Sequence, residues 1–198
     1  MYSQKDKQIL RKLAGKVREI AELPEMEARR NRWYKFNALE PECPMILCFP
    51  EGAWSELLNQ ESLNCKDEKL RQWELDLRRK IYWWEEINDD NTLEPYFNIN
   101  WKVNIGDYGV DVNYEHGENR GSYVWDPPLK DLNEDIDKLS YRELSVDRKA
   151  TYEDIELADD IFGDLLKPRI RGSFWWTLGL SWEAIKLVGL EKFNVIYV

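Results

Sequence analysis

The chain begins with segments whose apolar residues recur at the helical period. Between residues 4 and 23 an apolar residue returns every three or four positions, which predicts an amphipathic helix with one buried face. Pro24 interrupts the pattern, and a second helix is predicted over Glu25–Leu39. A longer stripe of leucine, isoleucine and tryptophan predicts a helix over residues 66–87.

Two short segments read as strands of a parallel sheet. Met45–Phe49 is continuously apolar and bounded by prolines, as expected of a strand buried on both faces. Near the other end, a helix is predicted from an N-cap at Asp147 to Phe162. It leads into a strand near Pro168–Arg171, a turn and a helix from Ser181, which together predict a βα unit.

The middle of the chain has the two-residue period of an antiparallel sheet. Apolar and polar residues alternate from Phe97 to Ile105, and the alternation resumes over Val110–Tyr114 after a glycine-containing turn. We therefore predict a β-hairpin over Phe97–Tyr114, with one buried and one hydrated face. Ser122–Trp125 is a candidate third strand.

Composition limits the functional classes. The 198 residues carry a formal net charge of −10, which argues against a nucleic-acid-binding surface. Neither a secretory signal nor a membrane span is predicted, because the N-terminus lacks an apolar run and the most apolar window contains charges and glycines. Cys43, Cys48 and Cys65 lack metal-ligand spacing, so a reducing cytoplasm is the expected compartment.

Aromatic residues are abundant, with ten tryptophans spread through every predicted element. Core packing is the favoured interpretation, and an aromatic ligand-binding cluster is the alternative. His116 is the only histidine and has no second ligand at metal-binding spacing, so no metal site is predicted within the chain.

Three segments resemble the uroporphyrinogen decarboxylase-like superfamily. Asn31–Phe49 is similar to its entry, where a helix and a proline-flanked connector precede the first barrel strand. Val146–Gly163 resembles the helix before a later barrel strand, and Lys167–Phe193 resembles the strand, aromatic-Thr-Leu turn and helix that follow. The order of the three segments carries the resemblance better than any one of them.

The resemblance implies an α/β fold, a partial (β/α)8 TIM barrel preceded by N-terminal helices. The chain is then a single domain over residues 1–198, with a helical lead-in over 1–40, an inserted antiparallel β-hairpin over 96–125 and a βα unit over 145–198. A complete barrel takes about 250 residues. We therefore expect a truncated chain, or one segment of a larger assembly.

The superfamily also implies a chemistry. It includes porphyrinogen decarboxylases and corrinoid-dependent methyltransferases, and the resemblance favours the latter. The substrate-binding Arg-Gln-Ala-Gly-Arg run of the decarboxylases is absent after Met45–Phe49. Methyl transfer from or to a small-molecule substrate or a corrinoid protein is implied. Corrinoid and zinc belong to that branch, and no cofactor is expected within this chain, which is expected to be inactive alone.

Site candidates follow from where a barrel places its loops. Arg169 and Arg171 share one face of the last strand and are candidates for binding a carboxylate or phosphate. The structural alternative is that one of them pairs with an acid such as Asp164. The remaining candidates lie in loops that follow predicted strands, where barrel sites form. They are Trp175, Trp176, Glu51 and Trp54, and more weakly Asp126.

Two other functional classes remain open. One is a non-catalytic α+β binding or interaction domain with an exposed aromatic patch. The other is a small-molecule sensor that uses the loops around Glu51 and Trp175. Neither membrane nor nucleic acid is an expected partner, and homo-oligomer formation is left open.

Overall fold

A computed structural model describes residues 2–118, 122–172 and 179–196, in two compact units. Unit 1 comprises Met1–Ile99 and Tyr152–Ile170, and unit 2 comprises Asn100–Thr151 and Arg171–Val198. The mixture of helices and strands confirms the α/β composition predicted from the sequence.

The helices of unit 1 are α1 (Gln4–Ala21), α2 (Pro24–Asn37), the short α3 (Trp54–Leu57) and α4 (Glu68–Tyr82). The predictions of α1, α2 and α4 are confirmed, and α3 was not predicted. The side chain of Ser3 accepts a hydrogen bond from the backbone N–H of Lys5, and that of Asp67 accepts from Leu70, so α1 and α4 both begin at a polar N-cap. A π-helical turn, Trp83–Ile87, extends α4, and Asn88 ends it in the left-handed region at φ 48°.

The core of unit 1 forms where α1 lies against α4. Leu10, Ala14 and Val17 on one helix and Leu70 and Leu77 on the other are fully buried. An aromatic cluster continues this core. Ring centroids of Phe97 and Phe162 are 4.4 Å apart, and both lie within 6 Å of the Trp73 ring, at 5.2 and 5.8 Å. Burying one such side chain contributes about 1.5–3 kcal/mol, so these contacts account for much of the stability of unit 1.

Within the described ranges, six short strands form three sheets of two strands each. In unit 1, β1 (Tyr96–Asn100) pairs with β6 (Lys167–Arg171). In unit 2, β2 (Val103–Ile105) pairs antiparallel with β5 (Leu144–Val146), and β3 (Asn113–His116) pairs antiparallel with β4 (Tyr123–Asp126). Among the described residues no sheet has more than two strands, so these strands do not close a barrel.

The predicted hairpin over Phe97–Tyr114 is wrong. The residues that alternate in polarity belong to three different sheets. In these sheets β1 pairs with β6, β2 with β5, and β3 with β4. Alternation specifies which face of a strand is buried, whereas the partner is set by contacts far away in sequence. The antiparallel hairpin that does form, β3–β4, lies at the end of the 96–125 region, and β4 matches the third strand predicted over Ser122–Trp125.

The predicted strand at Met45–Phe49 is also absent. These residues run without helix, turn or bend, and they pair with no strand among the described residues. Ile46 is 66% exposed and Phe49 55%, so the expected burial on two faces does not occur. The prediction rested on an apolar run, and an apolar run alone does not provide the neighbouring strands that would bury it.

The helices of unit 2 are short. They are α5 (Leu132–Asp135), the start of α6 (Arg148–Phe162), α7 (Leu180–Val188) and α8 (Leu190–Ile196). The predicted N-cap is confirmed: Asp147 accepts the backbone N–H of Ala150 at 2.9 Å. The predicted strand and the helix after it are confirmed as β6 and α7. Over the described residues, no helix is both long and apolar enough to cross a membrane.

Candidate ligand-binding groove

One face of the β3–β4 hairpin carries a row of aromatic rings. The strand register places Tyr114 opposite Trp125 and His116 opposite Tyr123. Because residues two apart on a strand share a face, all four rings lie on the same side. Neighbouring centroids are 5.6 to 6.4 Å apart, and Trp182 of α7 adds a fifth ring 6.1 Å from Trp125. We call these five residues the ring cluster.

Beside the ring cluster is an open groove of about 450 Å³. Tyr123 and Trp125 form one wall, and Pro127, Val188 and Leu190 contribute apolar surface. Tyr123 is 40% exposed and Leu190 55%, so the walls are accessible from solvent. The volume lies within the range of about 300–1,000 Å³ typical of ligand pockets. We call this feature the aromatic groove.

Hydrogen bonds to backbone carbonyls of α7 fix the walls of the groove. The indole N–H of Trp125 donates to the carbonyl of Lys186 at 3.0 Å, and the N–H of Leu129 donates to the carbonyl of Leu187 at 3.0 Å. Gly189 separates α7 from α8 at φ 84°, and a Cβ there would lie 2.8 Å from the Pro127 ring. A side chain at position 189 would therefore be strained and would collide with the wall of the groove.

Two charged residues of opposite sign line the groove, Glu191 and Lys192. The Lys192 ammonium donates to the backbone carbonyl of Lys130, and Lys130 forms an ion pair with Asp126. The Glu191 side chain has no ion pair with any described residue. A second depression of about 480 Å³, lined by Lys130, Leu132 and Val195, shares Glu191 and Lys192 with the first.

Of the two arginines predicted as a cationic site, Arg169 is engaged within unit 1. Its guanidinium donates to Glu94 at 2.7 Å and to Asn98 at 2.7 Å, and it lies 4.1 Å from the centre of the Tyr96 ring. The acid it pairs with is Glu94 rather than Asp164, which binds Arg11. Arg171 is exposed at the end of β6.

Glu51 and Trp54 lie together in unit 1. Glu51 is exposed and starts a 3₁₀ turn at φ 47°, in the left-handed region that few residues with a side chain adopt. The Trp54 ring packs against Tyr82 at 5.9 Å and Trp83 at 5.6 Å, and the Arg79 guanidinium lies over it at 5.4 Å. This arrangement is a partly exposed aromatic contact, with Glu51 directed to solvent.

Trp175 and Trp176 fall outside the described residues, since positions 173–178 are not among them. Asp126 is the last residue of β4 and forms an ion pair with Lys130.

Sequence reasoning missed Tyr123 and Glu191 as candidates. A usable signal was present, because Tyr114 and His116 alternate in the same way as Tyr123 and Trp125 across a short connection.

The residues do not fit the zinc implied by the methyltransferase branch. Within the described ranges, no group of three or more His, Cys, Asp or Glu side chains is arranged to hold a metal ion. His116 is flanked by the rings of Tyr114 and Tyr123, and Cys65 is buried in unit 1 beside Glu74.

Residues 45–49 of unit 1, which we call the apolar segment, are bonded along one edge. Asp90 accepts the backbone N–H of Ile46 at 2.9 Å and donates its own N–H to the Ile46 carbonyl at 3.0 Å. Asp89 accepts the N–H of Cys48 at 2.7 Å and the indole N–H of Trp83 at 2.9 Å. Among the described residues, the backbone groups of residues 45, 47 and 49 have no hydrogen-bond partner.

No family model, no curated protein and no solved structure matches the chain.

Proposed function

We propose that this chain is part of a uroporphyrinogen decarboxylase-like barrel protein, related to the corrinoid-dependent methyltransferases. It would supply the N-terminal helices and the first strands of the (β/α)8 barrel. The resemblance of Asn31–Phe49, Val146–Gly163 and Lys167–Phe193 supports this assignment. A second, independent argument comes from the exposed side chains and unpaired backbone groups of the apolar segment.

The observation that carries the proposal is the free edge of the apolar segment. In a straight run of backbone, alternate residues direct their N–H and C=O groups to opposite edges. Asp89 and Asp90 occupy the edge of residues 46 and 48, which leaves the edge of residues 45, 47 and 49 open. The side chains of Ile46 and Phe49 are exposed on a segment that contains no charge. A neighbouring barrel strand would satisfy these backbone groups and cover the apolar side chains.

The chemistry that goes with this assignment is methyl transfer involving a small-molecule substrate or a corrinoid protein. None of the described residues is assigned a catalytic role. In the proposed barrel, Arg171 would end a strand. Trp175 and Trp176, which come shortly after it in the sequence, would then belong to the loop region that forms barrel sites. Arg169 would act as a structural residue there, because Glu94 and Asn98 already occupy its guanidinium.

Exposed apolar surface gives a direct test. We expect the 198-residue chain to bind an apolar fluorescent dye and to self-associate in size exclusion. The variant Ile46→Lys should reduce both effects without lowering the melting temperature, because this side chain is 66% exposed. Leu39→Lys is the matched control, since Leu39 is 89% exposed in the same unit but lies outside the apolar segment. A monomer that binds no dye and unfolds cooperatively would contradict the proposal.

The genomic sequence after the codon for Val198 tests the family assignment itself. An open frame, in register or displaced by a frameshift, that continues with barrel-like βα units would support it. Sequence without such units in any frame would overturn it.

A second candidate function is a non-catalytic α+β binding domain. The aromatic groove favours it, because this feature is formed within unit 2 alone. A soluble monomer that unfolds cooperatively would favour this alternative over the barrel.

A further inference from the structure

We propose that the aromatic groove of unit 2 binds a planar aromatic molecule that carries a positive charge. The inference is independent of the barrel assignment, because every residue that it uses belongs to unit 2.

The shape and lining of the groove point to a flat apolar ligand. Tyr123 and Trp125 are neighbours on one face of the hairpin, with their ring centroids 6.0 Å apart. Pro127, Val188 and Leu190 add aliphatic surface. A planar ring placed against these walls would stack on aromatic faces and displace water from the aliphatic surface. The Trp125 indole N–H already donates to the Lys186 carbonyl, so it is not available to a polar ligand group.

The charges favour a cation over an anion. Glu191 lines the groove and has no ion pair among the described residues, so its carboxylate is available to a ligand. The faces of aromatic rings carry negative potential and attract cations. The neighbouring Lys192 ammonium is held at the Lys130 carbonyl, and the Lys130 ammonium pairs with Asp126. The net charge of −10 adds a general attraction for cations.

The test compares three probes with the same ring and different charge, using the full chain in equilibrium dialysis. They are naphthylmethylammonium, naphthylmethanol and naphthoate. We expect saturable binding of the cation, about two- to fivefold tighter than that of the alcohol, which is the effect of a cation at a partly exposed aromatic site. Naphthoate should bind most weakly. Absence of binding by all three, or naphthoate binding as tightly as the cation, would overturn the proposal.

Two variants locate the site. Glu191→Gln should weaken binding of the cation and leave the affinity for the alcohol unchanged. Glu191 is exposed, so this variant is expected to keep the melting temperature. Tyr123→Ser should weaken binding of both probes, whereas Tyr141→Ser, which changes a 99% exposed tyrosine of the same unit, should not. An unchanged cation affinity in Glu191→Gln, or an unchanged affinity in Tyr123→Ser, would also overturn the proposal.

Discussion

Glu74, whose side chain is completely buried, accepts the backbone N–H of Cys65 at 2.8 Å. The same carboxylate accepts the N–H of Asn64 at 2.9 Å and the Arg78 guanidinium at 2.8 Å. A single side chain of α4 therefore binds both the loop that precedes this helix and a residue one turn further along it. A buried carboxylate is tolerated here because hydrogen-bond donors surround it.

Replacing this carboxylate should weaken unit 1. Burial alone raises the pKa of Glu74, but the hydrogen bonds from Cys65, Arg78 and Asn64 outweigh it and hold the pKa below its ordinary value. The ionised form is therefore favoured in the folded state. Its contribution to stability is present above the unfolded pKa of about 4.3, and it is lost as the pH falls through the lowered folded value.

We expect Glu74→Gln to reduce the free energy of unfolding at pH 7 by about 1–3 kcal/mol, because one of the two accepting oxygens becomes an amide donor and the negative charge beside Arg78 is lost. The loss of stability below about pH 4.3 should become shallower in this variant. Urea unfolding at pH 7 and in acid measures both effects. The control is Glu85→Gln, which breaks an exposed ion pair with Lys16 and should cost less than about 1 kcal/mol. Equal losses in the two variants would contradict the role assigned to Glu74.

The three thiols should differ in reactivity. Burial, reinforced by Glu74, raises the pKa of Cys65 to about 12, and its side chain is only 1% exposed. Cys43 and Cys48 are exposed. Because the thiolate is the reactive form, a disulfide reagent at pH 8 should modify Cys43 and Cys48 rapidly in the reduced protein, and Cys65 only on unfolding. Rapid modification of Cys65, identified by comparison with Cys65→Ala, would show that the loop before α4 opens.

The N-cap of α6 offers a second stability test. Asp147 accepts the N–H of Ala150, so Asp147→Ala should lower the free energy of unfolding by about 1 kcal/mol. Asp147→Asn keeps an acceptor oxygen and should recover most of the loss. Thermal unfolding of the two variants distinguishes loss of the cap from loss of the charge. If the asparagine variant is as unstable as the alanine variant, the capping hydrogen bond is not the cause.

Arg169 should behave as a structural residue. Its contacts with Glu94, Asn98 and the Tyr96 ring are made by a side chain that is 33% exposed. Arg169→Met should therefore cost about 1 kcal/mol, which corresponds to a fall in melting temperature of about 2–4 °C for a chain of this length. Arg171→Met, at the exposed end of β6, is the matched control and should change the melting temperature less.

Local patterns were sufficient for the long helices. The apolar period predicted α1 and α4, the break at Pro24 predicted where α2 begins, and an aspartate at position 147 predicted the start of α6. These features depend on residues within one or two helical turns of each other. The short helices α3 and α8 were not predicted separately. The candidate site was harder to predict from the sequence. The ring cluster depends on the register of β3 with β4, and the groove depends on the approach of α8.

The sequence by itself determined where the long helices form and which positions alternate in polarity. The tertiary structure decided the partners: β1 pairs with a strand about 70 residues later, and the apolar segment at 45–49 joins no sheet among the described residues. The physical reason is that periodicity records which side of an element avoids water, and this is a local property. The choice of a neighbouring strand depends on which distant backbone edge is available, and no local pattern records that edge.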